Sequence, residues 1–302
     1  MVGGPWSLRT APVKVGLMTR SRDFAQVDVF TSVPYQGNPV AVVLDADGMT
    51  DDEMAAFARW TNLSETTFVL PSRETGADYR LRIFTTRGEL PFAGHPTLGS
   101  AHAWLEAGGR QWGVDIVQEC EVGLVRIRRD GSRLAFAAPP LSRSGPVDET
   151  TSEHVAAALG LDLSDLRDLA WVDNGPGWLG VLLADGDAVR RMRPDYAVMG
   201  KHDLKLGVVG LWDAESAHGK AGIAAEVRAF IPGEGAPEDP VTGSLNAGLA
   251  QWLVPLGVLP GSYVAGQGWA LQRDGRVHVE QDGADIWVGG SAVTCIRGTV
   301  EA

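Results

Sequence analysis

Residues 90–106 read LPFAGHPTLGSAHAWLE, and residues 238–253 read EDPVTGSLNAGLAQWL. In both stretches a loop that contains Gly and Pro leads into a run of small and apolar residues, at positions 97–106 and 245–253. Small residues all round a helix are typical of one that packs closely on several sides, not of a surface helix. The sequence therefore predicts two buried helices, separated by half of the chain.

The spacing of these two helices fits an ancient duplication. Aligning them superimposes Trp104-Leu105 on Trp252-Leu253, although the repeat is otherwise weak. A stretch with Pro, Ser and Gly at residues 139–149 has the composition of a linker and predicts a domain boundary. We predict an N-terminal extension and two domains, and leave open whether the last strand returns to the first domain: residues 1–24, 25–146 and 147–302.

One acidic side chain occupies a junction between two predicted elements. Residues 25–45 read as two strands around a turn at residues 36–39, and Thr50 begins a capped helix that continues to Asn62. Glu65 follows in NLSETTFVL, where this helix gives way to a strand. Glu65 is therefore a candidate acid or base.

Composition excludes several classes of function. The 302-residue chain has a net charge of −12, which disfavours nucleic acids and anionic membranes because both require a basic surface. No stretch reaches the ~20 apolar residues of a membrane-spanning helix, and no apolar core of a signal peptide is found, so a cytoplasmic protein is expected. The two cysteines, Cys120 and Cys295, lie outside any CxxC or Cys/His cluster, and we predict no metal site.

The two Gly-containing loops are candidate ligand sites. Free N–H groups at a helix N-terminus bind anions, and Gly94 or Gly243 would let a ligand approach the backbone closely. Two such ends facing each other across a cleft would hold a carboxylate, with Glu65, His95 and Asp239 around the reacting carbon. Each loop alone also has a purely structural explanation, because Asp-Pro opens turns and Ser or Thr caps helices.

Five segments of the chain together resemble one known family. They are VDVFTSVPYQGNPVAVV, NLSETTFVL, ELPFAGHPTLGSA, Asn174-Gly175-Pro176 and EDPVTGSLNAGLA. In this order they are similar to motifs of the PhzF (phenazine-biosynthesis) family, and the resemblance spans roughly residues 26–295. Several separate motifs are far more specific than a single Gly-rich loop. The sequence departs from the family pattern after Gly268 and at Leu245-Asn246, which leaves the substrate open.

This resemblance implies an α+β fold shared with diaminopimelate epimerase and proline racemase. In that fold two pseudo-symmetric domains each curl a β-sheet around a central helix, and the site lies in the cleft between them. The family is dimeric and uses no cofactor. The resemblance therefore implies a homodimer that acts on a small carboxylate substrate without a cofactor or metal.

The resemblance also assigns roles to individual residues. Glu65 in NLSETTF corresponds to the catalytic carboxylate, and His95 in GHPT corresponds to the site histidine. Asp239 in EDPVTGS is assigned to catalysis, and Ser244 is assigned to contact with the substrate. The remaining predicted substrate-binding residues are Gly94, Gly243 and Asn38.

The resemblance favours an isomerase of secondary metabolism that moves a proton on a small, carboxylated, unsaturated amine. Racemases of this fold use one Cys at each helix entry, whereas neither entry contains a thiol here. A single carboxylate can remove a proton from one carbon and return it to another if partial burial brings its pKa near the working pH. Glu65 is the predicted group. The alternatives are an amino-acid racemase, epimerase or dehydratase that uses Glu65, and a non-catalytic binding homologue.

Overall fold

The computed structural model describes residues 20–232 and 237–302. Residues 1–19 of the predicted N-terminal extension lie outside the described residues. The first strand, β1, begins at Ser21 and therefore includes the last residues of that predicted extension.

The first half of the described chain contains nine strands and two helices. The strands are β1 (Ser21–Val29), β2 (Asn38–Val43), β3 (Thr66–Leu70), β4 (Tyr79–Phe84), β5 (Glu89–Leu90), β6 (Ile116–Cys120), β7 (Gly123–Asp130), β8 (Arg133–Ala137) and β9 (Arg143–Pro146). The helices are α1 (Asp51–Thr61) and α2 (Gly94–Glu106).

The second half of the described chain contains eight strands and five α-helices. The strands are β10 (Asp168–Asp173), β11 (Trp178–Leu182), β12 (Lys205–Leu211), β13 (Ala225–Phe230), β14 (Glu238–Asp239), β15 (Ser262–Gln267), β16 (Gly275–Asp282) and β17 (Asp285–Glu301). The helices are α3 (Glu149–Leu159), α4 (Gly186–Arg191), α5 (Tyr196–Lys201), α6 (Ala217–Lys220) and α7 (Gly243–Leu253). Within the described ranges, no helix has both the length and the apolar character needed to cross a membrane.

The strands of the first half close into a barrel around α2. β2 pairs antiparallel with β1 and parallel with β3, and the pairing continues through β4, β6, β7 and β8. β8 pairs with β17, and β17 pairs with β1, which closes the ring. Apolar side chains that point inward from these strands pack against Leu98 and Ala101 of α2. The central position of α2 follows from this closure.

The second half repeats the same pairing order. β10 and β11 are antiparallel and β11 and β12 are parallel, like β1, β2 and β3. β13 and β15 are parallel, like β4 and β6, and α7 takes the place of α2. β9 pairs with β10 of the second half, while the C-terminal part of β17 returns to β1 of the first half. The predicted α+β fold of two similar halves, each curled around a central helix, is confirmed. The position of the domain boundary stays a prediction.

Small residues let the central helices approach the sheets closely. A Cβ added at Gly99 of α2 would lie 2.4 Å from Val40 Cγ1. A Cβ added at Gly248 of α7 would lie 2.3 Å from the carbonyl oxygen of Val172. Real Cβ atoms are not found at such distances, so the small residues of these helices are required by the packing.

Both central helices begin earlier than the sequence predicts. α2 begins at Gly94 instead of residue 97, and α7 begins at Gly243 instead of residue 245. Their N-cap residues, Ala93 and Thr242, make no side-chain capping bond, so capping rules did not locate them. The GHPT and GS segments are therefore the first turns of the helices and not the loops before them.

Helix α1 follows the capping rules and matches its prediction. Thr50 accepts a hydrogen bond from the Glu53 backbone, and the Glu53 side chain accepts one from the Thr50 backbone, which completes a capping box. The helix ends at Asn62, whose φ of 55° lies in the left-handed region. This well-defined end leaves a short connection to β3, and Glu65 lies in that connection.

Candidate active site

The N-termini of α2 and α7 meet at the centre of the molecule. A Cβ added at Gly94 would lie 3.4 Å from the Cα of Gly243, so the first residues of the two helices are in close contact. The Phe136 ring contacts both glycines, and it lies 2.6 Å from the position of a Cβ at Gly94. A side chain at Gly94 would therefore collide with this ring. The first N–H groups of a helix have no hydrogen-bond partner within the helix. The free backbone N–H groups of α2 and α7 therefore lie close together at this contact.

Glu65 reaches the N-terminus of α2 from the connection between α1 and β3. Its Oε2 atom lies 3.4 Å from Nε2 of His95. The side chain of Glu65 is 16% exposed, whereas that of His95 is 6% exposed. The carboxylate therefore combines a buried neighbour with access from outside, as an acid or base that meets a ligand requires.

Asn38 connects the two halves of the molecule. Its side-chain nitrogen lies 2.8 Å from the Val241 carbonyl oxygen, 3.0 Å from Asp239 Oδ1 and 3.3 Å from His95 Nδ1. The nitrogen must face this way, because a carbonyl and a carboxylate only accept hydrogen bonds. The fully buried Asn38 amide thus joins His95 of the first half to Asp239 of the second.

Asp239 is held at its second oxygen by a buried polar network. Its Oδ2 atom accepts a hydrogen bond from the Thr242 hydroxyl. The Gln267 side chain donates to that hydroxyl at 2.9 Å and accepts from the Thr242 backbone N–H at 3.0 Å. The Asn246 side chain also donates to Gln267, at 2.9 Å. Both oxygens of Asp239 are therefore oriented by groups that are themselves fixed.

The predicted site does not include Thr242, Gln267 or Asn246. Thr242 lies within the EDPVTGS motif, so the sequence carried a signal for it. Gln267 is remote in sequence and reaches the site only because β15 pairs in parallel with β13. No local pattern reveals a partner that a non-local strand pairing supplies.

The structure brings the predicted site residues to one place. Glu65, His95, Asn38 and Asp239 form a continuous series of side-chain contacts across the two halves. Ser244 follows Gly243 in the first turn of α7, and its hydroxyl accepts a hydrogen bond from Trp178. Gly94 and Gly243 form the contact between the helix ends. The catalytic and binding roles of all seven residues stay predictions.

Comparison with known proteins identifies the family of the chain. Residues 27–298 match the family described as PhzC-PhzF, phenazine biosynthesis-like protein. The chain belongs to this family. It is 36% identical over 294 residues to antisense-enhancing sequence 1 of Schizosaccharomyces pombe, covering 91% of this chain and 97% of the relative. It is 33% identical over 298 residues to trans-2,3-dihydro-3-hydroxyanthranilate isomerase of Pseudomonas fluorescens, covering 92% of this chain and 99% of that enzyme.

Solved structures of PhzF proteins share the fold. The PhzF-family protein of Bacillus anthracis superimposes with a TM-score of 0.78 at 25% identity, over 94% of this chain and 100% of that one. A hydroxyproline epimerase from Agrobacterium vitis has a TM-score of 0.57 at 14% identity, over 93% of each chain, and shares the fold alone. The PhzF relatives include several proteins named isomerases, and this chain is an enzyme of that class.

Burial governs the charge of His95 in this PhzF-family protein. Desolvation lowers the pKa of His95 from 6.5 to about 3, although a hydrogen bond to the Pro39 backbone opposes the shift. The imidazole is therefore neutral at pH 7 and carries a single N–H. Glu65 and His95 are accordingly in close contact at 3.4 Å and are not an ion pair of two charged groups.

The lowered pKa of His95 predicts a loss of stability in acid. The unfolded chain binds a proton at this histidine below pH 6.5, whereas the folded protein does so only near pH 3. Stability should therefore fall as the pH decreases through this window. Between pH 7.5 and 5, His95 alone should contribute a loss of about 2 kcal/mol in the free energy of unfolding.

Urea denaturation of the wild type and of His95→Gln at both pH values measures this contribution. His102, His202 and His278, whose pKa values are also lowered, affect both proteins equally. The wild type should lose more stability than the variant between the two pH values. Equal losses in the two proteins would show that His95 is not a buried neutral group.

The two thiols lie away from the helix N-termini. Cys120 ends β6 and Cys295 lies within β17. Burial raises the pKa of both thiols, which reduces the fraction present as thiolate. Neither cysteine is placed to act as an acid or base between α2 and α7. Across residues 20–232 and 237–302, no group of three or more His, Cys, Asp and Glu side chains could hold a metal ion.

Proposed function

We propose that this protein is a cofactor-independent isomerase that moves a proton on a small, carboxylated, unsaturated amine. Glu65 is the general acid and base. The observation that supports this proposal is the series of contacts from Glu65 through His95 and Asn38 to Asp239, located where two helix N-termini meet. One carboxylate with outside access next to a neutral imidazole suits proton transfer better than charge pairing.

The meeting helix ends suit a carboxylate of the substrate. Backbone N–H groups and the positive ends of two helix dipoles favour negative charge at such a place. Gly94 and Gly243 let the two helix ends approach each other beside Phe136, and the Ser244 hydroxyl adds a side-chain donor. The acidic net charge of the whole chain does not oppose this local preference.

The proposed reaction conserves all atoms of the substrate. The Glu65 carboxylate removes a proton from one carbon, and the electron pair of the broken C–H bond enters the conjugated system. The backbone N–H groups at the helix ends, next to the uncharged imidazole of His95, stabilise the charge that develops. Glu65 then returns the proton to another carbon of the same conjugated system. Asp239, fixed by Asn38 and Thr242, is positioned to accept a hydrogen bond from an amine or hydroxyl of the substrate.

The named substrate of one relative fits this chemistry. The Pseudomonas fluorescens enzyme is named for trans-2,3-dihydro-3-hydroxyanthranilate, a carboxylated, unsaturated amine. We propose a substrate of the same class in secondary metabolism, turned over by a cytoplasmic homodimer, as the family resemblance implies. A racemase, epimerase or dehydratase that uses Glu65 is the alternative. A two-thiol racemase mechanism is disfavoured by the positions of Cys120 and Cys295.

Hydrogen exchange with solvent tests the proposed reaction. The enzyme is incubated in deuterium oxide with trans-2,3-dihydro-3-hydroxyanthranilate, and the product is analysed by NMR and mass spectrometry. We expect deuterium, at least in part, at the carbon that receives the proton, and an equal rate after exhaustive chelation. Deuterium only at the carbon that lost the proton, with its configuration inverted, would favour an epimerase. Loss of activity on chelation would contradict a cofactor-free mechanism.

A further inference from the structure

Two side chains hydrogen-bond to Ser244: that of Asn174, in the turn between β10 and β11, and that of Trp178, the first residue of β11. Trp178 Nε1 donates a hydrogen bond to Ser244 Oγ at 3.0 Å. Asn174 donates from its side-chain nitrogen to the Ser244 backbone carbonyl at 2.8 Å. The segment 174–178 therefore fixes both the hydroxyl and the backbone carbonyl of one residue in the first turn of α7.

The turn that carries these side chains is itself ordered. Asp173 Oδ1 accepts hydrogen bonds from the backbone N–H groups of Gly175 at 2.8 Å and Gly177 at 2.6 Å. Its other oxygen accepts from the Ser142 hydroxyl at 3.0 Å. Trp178 follows directly and is only 2% exposed. The indole N–H is thus presented to Ser244 from a fixed position.

Hydrogen-bond chemistry decides what the Ser244 hydroxyl can do in this arrangement. An indole nitrogen only donates, so the serine oxygen must be the acceptor in this contact. The hydroxyl proton cannot point at Trp178 and is directed elsewhere. A hydroxyl that already accepts one hydrogen bond is also a stronger donor. The Ser244 hydroxyl does not cap the helix, because the N-cap residue of α7 is Thr242.

We infer that Trp178 is a positioning residue that keeps the Ser244 hydroxyl as a hydrogen-bond donor to the substrate carboxylate. The inference rests on the proposed function in one respect, namely that a carboxylate binds at the meeting helix ends. Trp178 does not touch the substrate and acts through Ser244. Its role is to restrict the hydroxyl to the rotamer that a bound carboxylate requires.

Substitution of Trp178 by Phe tests this role, because Phe keeps an aromatic side chain and removes only the N–H donor and part of the ring. The probe is 2-aminobenzoate, whose dissociation constant is measured by calorimetry. We expect binding to weaken by roughly five- to tenfold, the usual effect of one hydrogen bond. With the isomerase substrate, KM should rise similarly while kcat stays within about twofold, because a carboxylate contact is made equally in the ground and transition states.

A double-mutant cycle separates positioning from a general structural effect. If Trp178 acts through the Ser244 hydroxyl, Trp178→Phe should have no further effect on binding in a Ser244→Ala background. The matched control is Trp287→Phe, because Trp287 is equally buried and its N–H has no hydrogen-bond partner within the described residues. This control should bind 2-aminobenzoate like the wild type. The same fold-loss for Trp178→Phe with and without the serine hydroxyl would overturn the inference, as would wild-type binding by Trp178→Phe.

This experiment and the test of the proposed function fail in different ways. Calorimetry reports carboxylate binding without turnover, so the cycle is informative even if no proton transfer occurs. Coupled effects on binding without deuterium incorporation would uphold the positioning role and refute the isomerase mechanism. Deuterium incorporation together with independent effects of the Trp178 and Ser244 substitutions on binding would uphold the isomerase mechanism and refute the positioning role.

Discussion

Replacing Glu65 by Gln should lower the rate of isomerisation by at least about 10³-fold. General acid–base groups typically contribute about 10²–10⁴-fold, and a group that both removes and returns the proton should lie in the upper part of that range. Gln keeps the shape and the hydrogen-bonding reach toward His95 but cannot carry the proton. Solvent deuterium should accordingly fail to enter the product.

Two further variants define the role of Glu65. Glu65→Asp should retain partial activity, because the carboxylate is present but is withdrawn by one methylene from the reacting carbon. Both Glu65 variants should bind 2-aminobenzoate nearly as the wild type does, since the helix ends and Ser244 are proposed to hold the carboxylate. Glu280→Gln, at an exposed position of β16, is the matched control and should leave the rate unchanged. Turnover by Glu65→Gln close to the wild-type rate would show that another group carries the proton.

The sequence predicts local features of this fold well. The capping box at Thr50 and the left-handed end at Asn62 use only neighbouring residues, and both appear where the pattern indicates them. The small residues of α2 and α7 correctly predict buried helices, because a helix with no polar face must be enclosed. The sequence places the start of each central helix too late, because Ala93 and Thr242 make no side-chain cap.

Non-local contacts set the limit of prediction from one sequence. The closure of the first barrel depends on β17, which crosses from one half to the other and pairs with β1. The same kind of contact brings Gln267 to Thr242, and Trp178 to Ser244. Glu65, His95 and Asp239 are predicted as site residues because short motifs surround them. Gln267 and Trp178 are not predicted, because hydrogen bonds between residues that are distant in sequence produce no local sequence pattern.

Replacing Arg228 by Met should lower the free energy of unfolding by about 3–5 kcal/mol. Arg228 and Glu238 form a bidentate ion pair. Arg228 Nε donates to Glu238 Oε1 at 2.9 Å and Nη2 donates to Oε2 at 2.8 Å, and each side chain is only 5% exposed. The variant leaves the Glu238 carboxylate buried without its counter-charge. The carbonyl oxygens of Val189 and Met192 also lose a donor.

Adding Glu238→Leu to the Arg228→Met variant should restore part of the lost stability, because it removes the uncompensated charge. Restoration should be incomplete, since the two carbonyl groups stay without their donor. Urea denaturation of the two single variants and the double variant gives the coupling energy directly. The matched control is Lys220→Met, which breaks an exposed pair with Glu215 and should cost no more than about 1 kcal/mol.

The same pair also bears on the site. Glu238 directly precedes Asp239 in β14, and β14 is held on β13 by the pairing of Phe230 with Glu238 and of Ala229 with Asp239. Loss of the ion pair should therefore disturb the position of Asp239 and lower kcat in the folded fraction of Arg228→Met. A stability cost below about 1 kcal/mol for Arg228→Met would contradict a desolvated pair and would show that water reaches Glu238.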